Sequence, residues 1–185
     1  MRIVAGRFKG RALAAVGKGD PGAHLRPTTD RTRESLFNML GGGRFGDPIE
    51  DARVLDLFAG TGALGLEALS RGAAHVTFVD DGRKSNALLK ENIRICDARG
   101  EVQVIRRDAR KLPENTGAPY DLIFLDPPYD KGLGEQALEA ALASGWVADG
   151  ALIVWEESAA ITAPEALTYL DERRYGDTTI TILEL

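Results

Sequence analysis

Two short segments carry residue types that can do chemistry. The first is a glycine-rich run, Asp56-Leu57-Phe58-Ala59-Gly60-Thr61-Gly62, and the second is Asp126-Pro127-Pro128-Tyr129. Glycines between a strand and a helix let the backbone approach a ligand closely and present helix N–H groups to it. Two consecutive prolines end a strand and hold nearby carbonyl and carboxylate oxygens as fixed acceptors. The pair predicts a nucleotide-like ligand beside an acceptor site for an amino group.

Acidic residues that follow later strands extend the first segment. Asp80 comes 20 positions after Gly60, where a carboxylate can accept hydrogen bonds from ribose hydroxyls. Asp108-Ala109 follows the third predicted strand, where the carboxylate could accept a hydrogen bond from an adenine amino group. Each aspartate could instead cap a turn. The pattern therefore predicts an adenosine-containing cofactor, either a nicotinamide dinucleotide or S-adenosylmethionine.

The D-P-P-Y segment separates these two cofactors. Acceptors fixed at Asp126 would orient the lone pair of an amino nitrogen toward a methyl sulfonium, and Tyr129 could stack on a flat base. A nicotinamide-dependent reductase would leave this segment without a role, and a rigid loop that only ends a strand is the structural alternative. We therefore predict methyl transfer to an amino nitrogen without a metal, with Asp126, Pro127, Pro128 and Tyr129 as catalytic residues.

Strands and helices alternate along the chain from residue 53 onward. This alternation is typical of a mostly parallel sheet with helices on both faces. We predict strands at 53–57, 75–79, 102–105, 122–125 and 151–155. We predict helices at 63–70, 86–95 and 134–144. β-branched residues after a turn at Gly176-Asp177 indicate a C-terminal hairpin with an antiparallel last strand.

The N-terminal region predicts a small hairpin and one helix. Residues 3–14 contain two short apolar segments, separated by glycines and cations that suit bends and a tip. Thr29 or Asp30 can cap a helix that ends at three consecutive glycines. Arg31 and Arg33 would lie in its first turn, where cations oppose the helix dipole. They therefore either face an anion or pair with neighbouring acids.

The net charge of the chain hides a basic N-terminus. The total is -5, yet residues 1–35 hold 8 Arg and Lys against 3 Asp and Glu, which gives +5. The other 150 residues carry 15 minus 25, or -10. A basic arm ahead of an acidic body predicts that the N-terminus contacts phosphates. A solvated charge excess without a partner is the alternative.

Length and composition indicate one soluble domain. The 185 residues can build one sizeable core, and no apolar run approaches the roughly 20 residues that span a bilayer. The N-terminus lacks the apolar stretch of a signal peptide, so we expect a cytoplasmic protein. The single cysteine, Cys96, is expected to be a buried thiol, and His24 and His75 carry no readable role.

Several segments resemble one protein family. They are Val54 to Ala68, the D-P-P-Y segment, the leader Arg26-Pro27-Thr28-Thr29-Asp30-Arg31-Thr32-Arg33-Glu34-Ser35-Leu36-Phe37-Asn38, and the opening Arg2 to Arg11. The first two are shared by many amino-methyltransferases, whereas the leader and the opening are more specific. On these residues the chain resembles the bacterial RsmD-type 16S rRNA guanine-N2 methyltransferases over nearly its whole length.

The resemblance implies a fold and a partner. The fold is the Rossmann-like class I methyltransferase α/β fold, with a seven-stranded sheet in the order 3-2-1-4-5-7-6. Residues 1–185 would form one domain, with an RNA-contacting extension at 1–45 and a catalytic core at 51–185. The implied cofactor is S-adenosyl-L-methionine. The implied partner is 16S rRNA in the assembled or assembling small ribosomal subunit, bound by a monomer.

The resemblance also implies roles for individual residues. The cofactor would be held by Asp56, Phe58, Gly60, Gly62, Asp80, Asp108 and Ala109, and the guanine by Asp126, Pro127 and Tyr129. RNA phosphates would be contacted by Arg2, Arg7, Lys9, Arg11, Arg26, Arg31 and Arg33. A glycine-rich loop at 17–22 and the acidic body depart from the family pattern. A methyltransferase for DNA adenine or protein glutamine, and a non-catalytic RNA-binding assembly factor, remain as alternatives.

Overall fold

The structure, a computed structural model, describes residues 1–15, 29–128, 132–158 and 160–185. The helices are α1 (Asp30–Leu40), α2 (Ala63–Ser70), α3 (Arg83–Cys96) and α4 (Leu133–Ala143). The strands are β1 (Arg53–Leu57), β2 (His75–Val79), β3 (Val102–Ile105), β4 (Tyr120–Leu125), β5 (Val147–Glu157), β6 (Thr168–Tyr175) and β7 (Thr178–Glu184). The first three predicted strands are confirmed. The next two begin earlier than predicted, because Tyr120 pairs with Val147 ahead of a register shift.

The seven strands form one sheet in the order β3-β2-β1-β4-β5-β7-β6. Strands β1 to β5 are parallel to their neighbours, and β7 runs antiparallel between β5 and β6. The expected order and the antiparallel hairpin are confirmed. The strand order reverses between β1 and β4, and α/β proteins bind ligands in the crevice outside the carboxyl ends at such a point.

Helices cover both faces of the sheet. Helices α1, α2 and α3 pack on one face, where the ring of Phe37 lies 5.6 Å from that of Phe124. Helix α4 packs on the other face, where Leu138 joins the cluster around Trp155. Because both faces are buried, β4 reads as a nearly continuous apolar run. An apolar run of this kind is visible in the sequence without knowledge of the fold.

The hairpin predicted at the N-terminus is present as turns and an isolated bridge. Arg2 pairs with Ala12 in antiparallel sense, and the Ile3 amide donates to the Arg11 carbonyl at 3.0 Å. Phe8, at the tip, is buried. We call residues 1–15 the N-terminal arm.

A buried carboxylate fastens the arm to α2. Glu67 accepts hydrogen bonds from the Val4 and Ala5 amides at 2.8 and 3.0 Å. It also pairs with Arg71 at 2.8 Å and lies 3.5 Å from the guanidinium of Arg33 on α1. The buried carboxylate of Glu67 on α2 therefore contacts both the arm and α1.

Three further expectations concern single features. The Thr29 hydroxyl accepts from the Thr32 amide at 3.1 Å and caps α1, as predicted. Cys96 is a buried free thiol, and burial raises its pKa. Within the described residues, no helix has the length and hydropathy needed to cross a membrane.

Candidate active site

Parallel register brings the ends of the central strands to one edge of the sheet. Leu57 pairs with Val79 of β2 and Leu125 of β4, and Leu125 pairs with Trp155 of β5. The residues that come next therefore lie side by side. They are Phe58, Asp80, Asp126 and Glu156. We call this side of the sheet the carboxyl edge.

The turn after β1 needs glycine. Gly60 and Gly62 have φ angles of 57° and 78°, in the left-handed region that side chains disfavour. A Cβ atom on Gly62 would lie 2.4 Å from the Cδ1 atom of Leu89. Phe58 adopts φ 59° without being glycine, a strained conformation that clusters at functional sites. The turn delivers the N-terminus of α2, which has no side-chain cap, to the carboxyl edge.

Asp80 is held by donors on both sides of the crevice. Its carboxylate accepts from the Gly60 amide at 2.9 Å, from the Gly82 amide at 2.8 Å and from the Ser85 hydroxyl. A carboxylate offers about four lone-pair sites, so one remains for a ribose hydroxyl. The spacing from the glycines predicted Asp80. Nothing in the sequence indicated Ser85 as its partner.

Asp56 is buried below the glycine turn. Its carboxylate accepts from the Gly65 amide at 3.0 Å and so holds α2 against β1. Burial raises the pKa of Asp56 to about 7, the Gly65 N–H opposes this rise, and the neighbouring Asp80 adds to it. With 1% of its surface exposed, Asp56 positions α2 and presents almost no surface for direct contact with a ligand.

Asp126 presents acceptors at the end of β4. Its amide donates to the Leu57 carbonyl at 3.4 Å, which places it beside the glycine turn. Among the described residues, none donates a hydrogen bond to its half-buried carboxylate. Pro127 is buried and Pro128 half-buried behind it. Tyr129 lies outside the described residues, so its stacking role stays a prediction.

The sequence analysis did not include two glutamates beside Asp126 among the site residues. Glu156 and Glu157 end β5, and Glu156 is 6% exposed. Burial raises the pKa of Asp126 well above its usual range, and the charges of Glu156, Asp56 and Glu157 raise it further. The signal was available, because acids directly after a parallel strand had already pointed to Asp80 and Asp126.

Asp108 is engaged by a neighbour. It accepts from the Arg110 amide at 2.9 Å and from the Arg110 guanidinium at 3.0 and 2.7 Å. The hydrogen bonds from Arg110 hold the pKa of Asp108 below its usual value. Ala109 is buried beside it. A contact from Asp108 to adenine remains a prediction and would share the carboxylate with Arg110.

One predicted RNA contact is removed by burial. Arg33 has no accessible surface, and its guanidinium donates to the Arg2 carbonyl and to Asp30 at 2.7 Å. A buried guanidinium cannot reach an RNA phosphate, so we withdraw Arg33 from that set. The mismatch with the helix dipole is resolved by Asp30 and by Glu67 on α2.

The other cations predicted to contact RNA differ in their availability. Arg7 pairs with Glu101, and Arg11 donates to the Ile95 carbonyl at 2.8 Å. Three more cations are exposed: Arg2, which lies 3.9 Å from Asp30, and Lys9 and Arg31. Arg26 and the glycine-rich loop at 17–22 lie outside the described residues.

A buried asparagine joins the arm to the glycine turn. The Asn92 side chain on α3 donates to the Ala14 carbonyl at 3.0 Å and to the Thr61 carbonyl at 2.9 Å, and accepts from the Ala14 amide at 2.7 Å. The position of the arm is therefore coupled to the backbone of the turn. No pattern around Asn92 indicates this in the sequence.

A concavity of about 640 Å³ lies at the amino ends of the strands, opposite the carboxyl edge. Ala52, Asp121 and Gly150 line it, near the starts of β1, β4 and β5. None of the predicted site residues that the structure describes lines it. It is therefore separate from the carboxyl edge.

The residues at the carboxyl edge fit S-adenosylmethionine better than a dinucleotide. Five carboxylates lie at or just below this edge: Asp56, Asp80, Asp126, Glu156 and Glu157. A pyrophosphate would be repelled by the ionised members of this group and would oppose ionisation of the others, whereas a cationic sulfonium and ammonium would favour their carboxylate forms. Gly62, in the left-handed region, packs closely against Leu89 and Phe78, so the turn stays tight between β1 and α2. Among the described residues, no cluster could hold a metal ion.

The sheet order, the glycine turn and the acidic residues of the carboxyl edge define a class I methyltransferase fold. The solved structure of a putative methyltransferase from Escherichia coli has a TM-score of 0.83 and 38% identity, covering 100% of this chain and 97% of that one. The solved structure of a putative methylase from Haemophilus influenzae has a TM-score of 0.76 and 34% identity, covering 99% and 97%.

Sequence comparison gives the family. A family model described as conserved hypothetical protein 95 matches residues 1–184. The ribosomal RNA small subunit methyltransferase D of Escherichia coli K12 is 42% identical over 156 residues, 84% of this chain and 74% of that protein. Its Haemophilus influenzae counterpart is 37% identical over 182 residues, which cover 95% of this chain and 89% of that protein. The chain belongs to this methyltransferase family, and the resemblance is confirmed.

Proposed function

We propose that this protein transfers a methyl group from S-adenosylmethionine to the N2 amino group of a guanine in 16S rRNA. The observation that carries the proposal is the position of Asp126 beside the glycine turn. Support comes from family membership and from 42% identity to a small-subunit rRNA methyltransferase.

The glycine turn and the acids around it would hold the cofactor. Gly60 and Gly62 would line its methionine and ribose part, Asp80 would accept from the ribose hydroxyls, and Asp108-Ala109 would meet the adenine. Phe58 would pack beside it, and Asp56 would keep α2 in place. When bound, S-adenosylmethionine supplies an electrophilic methyl group on a cationic sulfur.

Asp126 and the proline carbonyls would orient the guanine. An exocyclic amino group donates two hydrogen bonds, and fixed acceptors turn its lone pair toward the methyl group. The guanine must leave its stack to reach this edge, and Tyr129 would support its flat face. The protein therefore needs no base that deprotonates the amine beforehand.

The acid cluster would also take up the proton that nitrogen loses. Asp126 is stabilised as a carboxylate while a cationic methyl donor lies beside it. Once that charge is gone, burial and the neighbouring Glu156 favour its protonated form. Asp126 would then release the proton to solvent as the products leave.

The N-terminal region would bind the RNA backbone. In this proposal residues 1–45 are the RNA-contacting extension and residues 51–185 the catalytic core of a single domain. Arg2, Arg7, Lys9, Arg11, Arg26 and Arg31 would contact phosphates, with affinity that falls as salt rises. The substrate would be the assembled or assembling small subunit in the cytoplasm, and the enzyme would act as a monomer.

The experiment is a transfer assay with radiolabelled S-adenosylmethionine. The acceptors are small subunits from a strain that lacks this activity, free 16S rRNA, DNA and bulk protein. We expect label in small-subunit RNA, with less in free 16S rRNA. Label in DNA or protein would favour another amino-methyltransferase, and no transfer to any acceptor would favour a non-catalytic binding factor.

A further inference from the structure

The charges of the chain separate along the sheet. Residues 80–111, from the end of β2 through α3 and β3, hold 9 Arg and Lys against 6 Asp and Glu, which gives +3. Residues 112–185, which form β4 to β7, hold 3 against 14, or -11. Because β3 is an edge strand, the chain is basic at that edge of the sheet, whereas the part of the chain that forms the other half of the sheet is acidic.

The basic edge ends in a compact cluster after β3. Its four members are all exposed: Arg106, Arg107, Arg110 and Lys111. Asp108 neutralises Arg110. Among the described residues, no carboxylate pairs with Arg106, Arg107 or Lys111. We call these four residues the β3 cluster.

The β3 cluster lies next to the cofactor site and on the same edge as the arm. Val79 pairs with Ile105, so Arg106 stands beside Asp80. At the other end of β3, Arg7 of the arm pairs with Glu101. The four residues of β3 separate the two groups by about 13 Å, at about 3.3 Å per residue. A few nucleotides can span this length.

We propose that the β3 cluster is a second surface for RNA phosphates, continuous with the arm along the β3 edge. Guanidinium groups match phosphate geometry through paired hydrogen bonds, and three of the four members are arginines. The acidic half of the sheet repels a polyanion, which restricts RNA to this side. The inference rests on the proposed RNA substrate and adds to it the path of the flanking strand.

The experiment compares two double variants with equal charge change. Arg106→Glu/Arg107→Glu alters the β3 cluster, and Arg173→Glu/Arg174→Glu alters exposed arginines on β6, the opposite edge strand. The readout is the Kd for free 16S rRNA by filter binding at several salt concentrations, with the Kd for S-adenosylmethionine measured on the same samples. The Arg106→Gln/Arg107→Gln variant removes the two positive charges without adding negative ones. It tests the same surface if the Glu variant does not fold.

We expect the β3 variant to bind 16S rRNA at least about tenfold more weakly, with a salt slope smaller by about 1.4 for two lost single-strand contacts. The Gln variant should show a smaller loss of affinity for 16S rRNA. The β6 variant should bind 16S rRNA within about twofold of wild type, and the Kd for S-adenosylmethionine should stay within about twofold in every variant.

Equal weakening of RNA binding by the β3 and β6 variants, or no weakening by either, would overturn the proposal. A defect seen only with assembled subunits would assign the cluster to a ribosomal protein and overturn it as well. Because binding is measured without turnover, a wild type that binds but does not methylate rRNA would contradict only the proposed function.

Discussion

The two sides of the carboxyl edge are built differently. At the end of β2, the Asp80 carboxylate is already occupied by two backbone amides and a hydroxyl. At the end of β4, no described residue donates to the Asp126 carboxylate, and burial together with neighbouring acids raises its pKa. The proposed cofactor side is thus held in place by hydrogen bonds within the protein, whereas the proposed substrate side retains free acceptors that an amino group could use.

This difference predicts that the two sides can be damaged separately. Asp126→Ala should lower the rate of methyl transfer by about 10³-fold, in the range seen when one oriented polar group is removed from an active site. The Kd for S-adenosylmethionine should change by less than about threefold. Single-turnover kinetics and calorimetry measure the two quantities, with Asp149→Ala, an exposed aspartate of β5, as the control. Equal losses of rate and affinity would show that Asp126 is structural.

The second prediction concerns the support of the cofactor side. Glu67→Gln leaves the buried Arg33 without its partner on α2 and should lower the free energy of unfolding by about 3 kcal/mol. The control is Glu91→Gln, which breaks an exposed pair with Arg94 and should leave stability unchanged. Urea unfolding measures both. Similar stabilities for the two variants would mean that the arm and α1 do not depend on Glu67.

Stability should also depend on pH through Asp56. Its folded pKa of about 7 lies above the ordinary 3.8, so its favourable contribution is complete below about pH 4 and is lost as pH rises through 7. Within that window the free energy of unfolding should fall by up to about 1.4 kcal/mol per pH unit from this group.

Asp56→Asn should remove that slope while keeping an acceptor for the Gly65 amide. Urea unfolding at pH 5, 6, 7 and 8 compares the variant with wild type. Parallel pH profiles for the two proteins would show that Asp56 does not titrate in this window.

The smallest expected effect tests the link between the arm and the turn. Asn92→Asp removes the donors to the Ala14 and Thr61 carbonyls and should raise the cofactor Kd about fivefold, the equivalent of one hydrogen bond. Asn115→Asp is the matched control, because Asn115 also binds two carbonyls, Ala118 and Gly145, away from the site. An unchanged cofactor Kd in the Asn92 variant would show that the contact between the arm and the turn does not affect cofactor binding.

The sequence predicted the parts of the molecule that follow from local periodicity. Strands β1 to β3 are bounded as expected. Strands β1 and β2 are buried apolar runs flanked by turns, and β3 is a half-buried edge strand. The acids Asp80 and Asp126 were found because each directly follows a strand. Register then places them at one edge without further information.

The sequence could not predict contacts between distant segments. Arg33 was expected either to face an anion or to pair with a neighbouring acid. Its pair with Asp30 is local, but nothing local reveals that Glu67 on α2 also lies beside it. Asn92 was missed for the same reason, since its partners are 78 and 31 residues away. Glu156 could have been found by the rule that found Asp126, since it directly follows the strand predicted at 151–155.

The most direct test is the identity of the methylated nucleoside. Small subunits from a strain that lacks this activity are incubated with S-adenosylmethionine and either wild type or Asp126→Ala, and the digested RNA is analysed by mass spectrometry. We predict one N2-methylguanosine per subunit with wild type and almost none with the variant. Methylation on adenine, or equal N2-methylguanosine from both proteins, would contradict the role assigned to Asp126 and to the carboxyl edge.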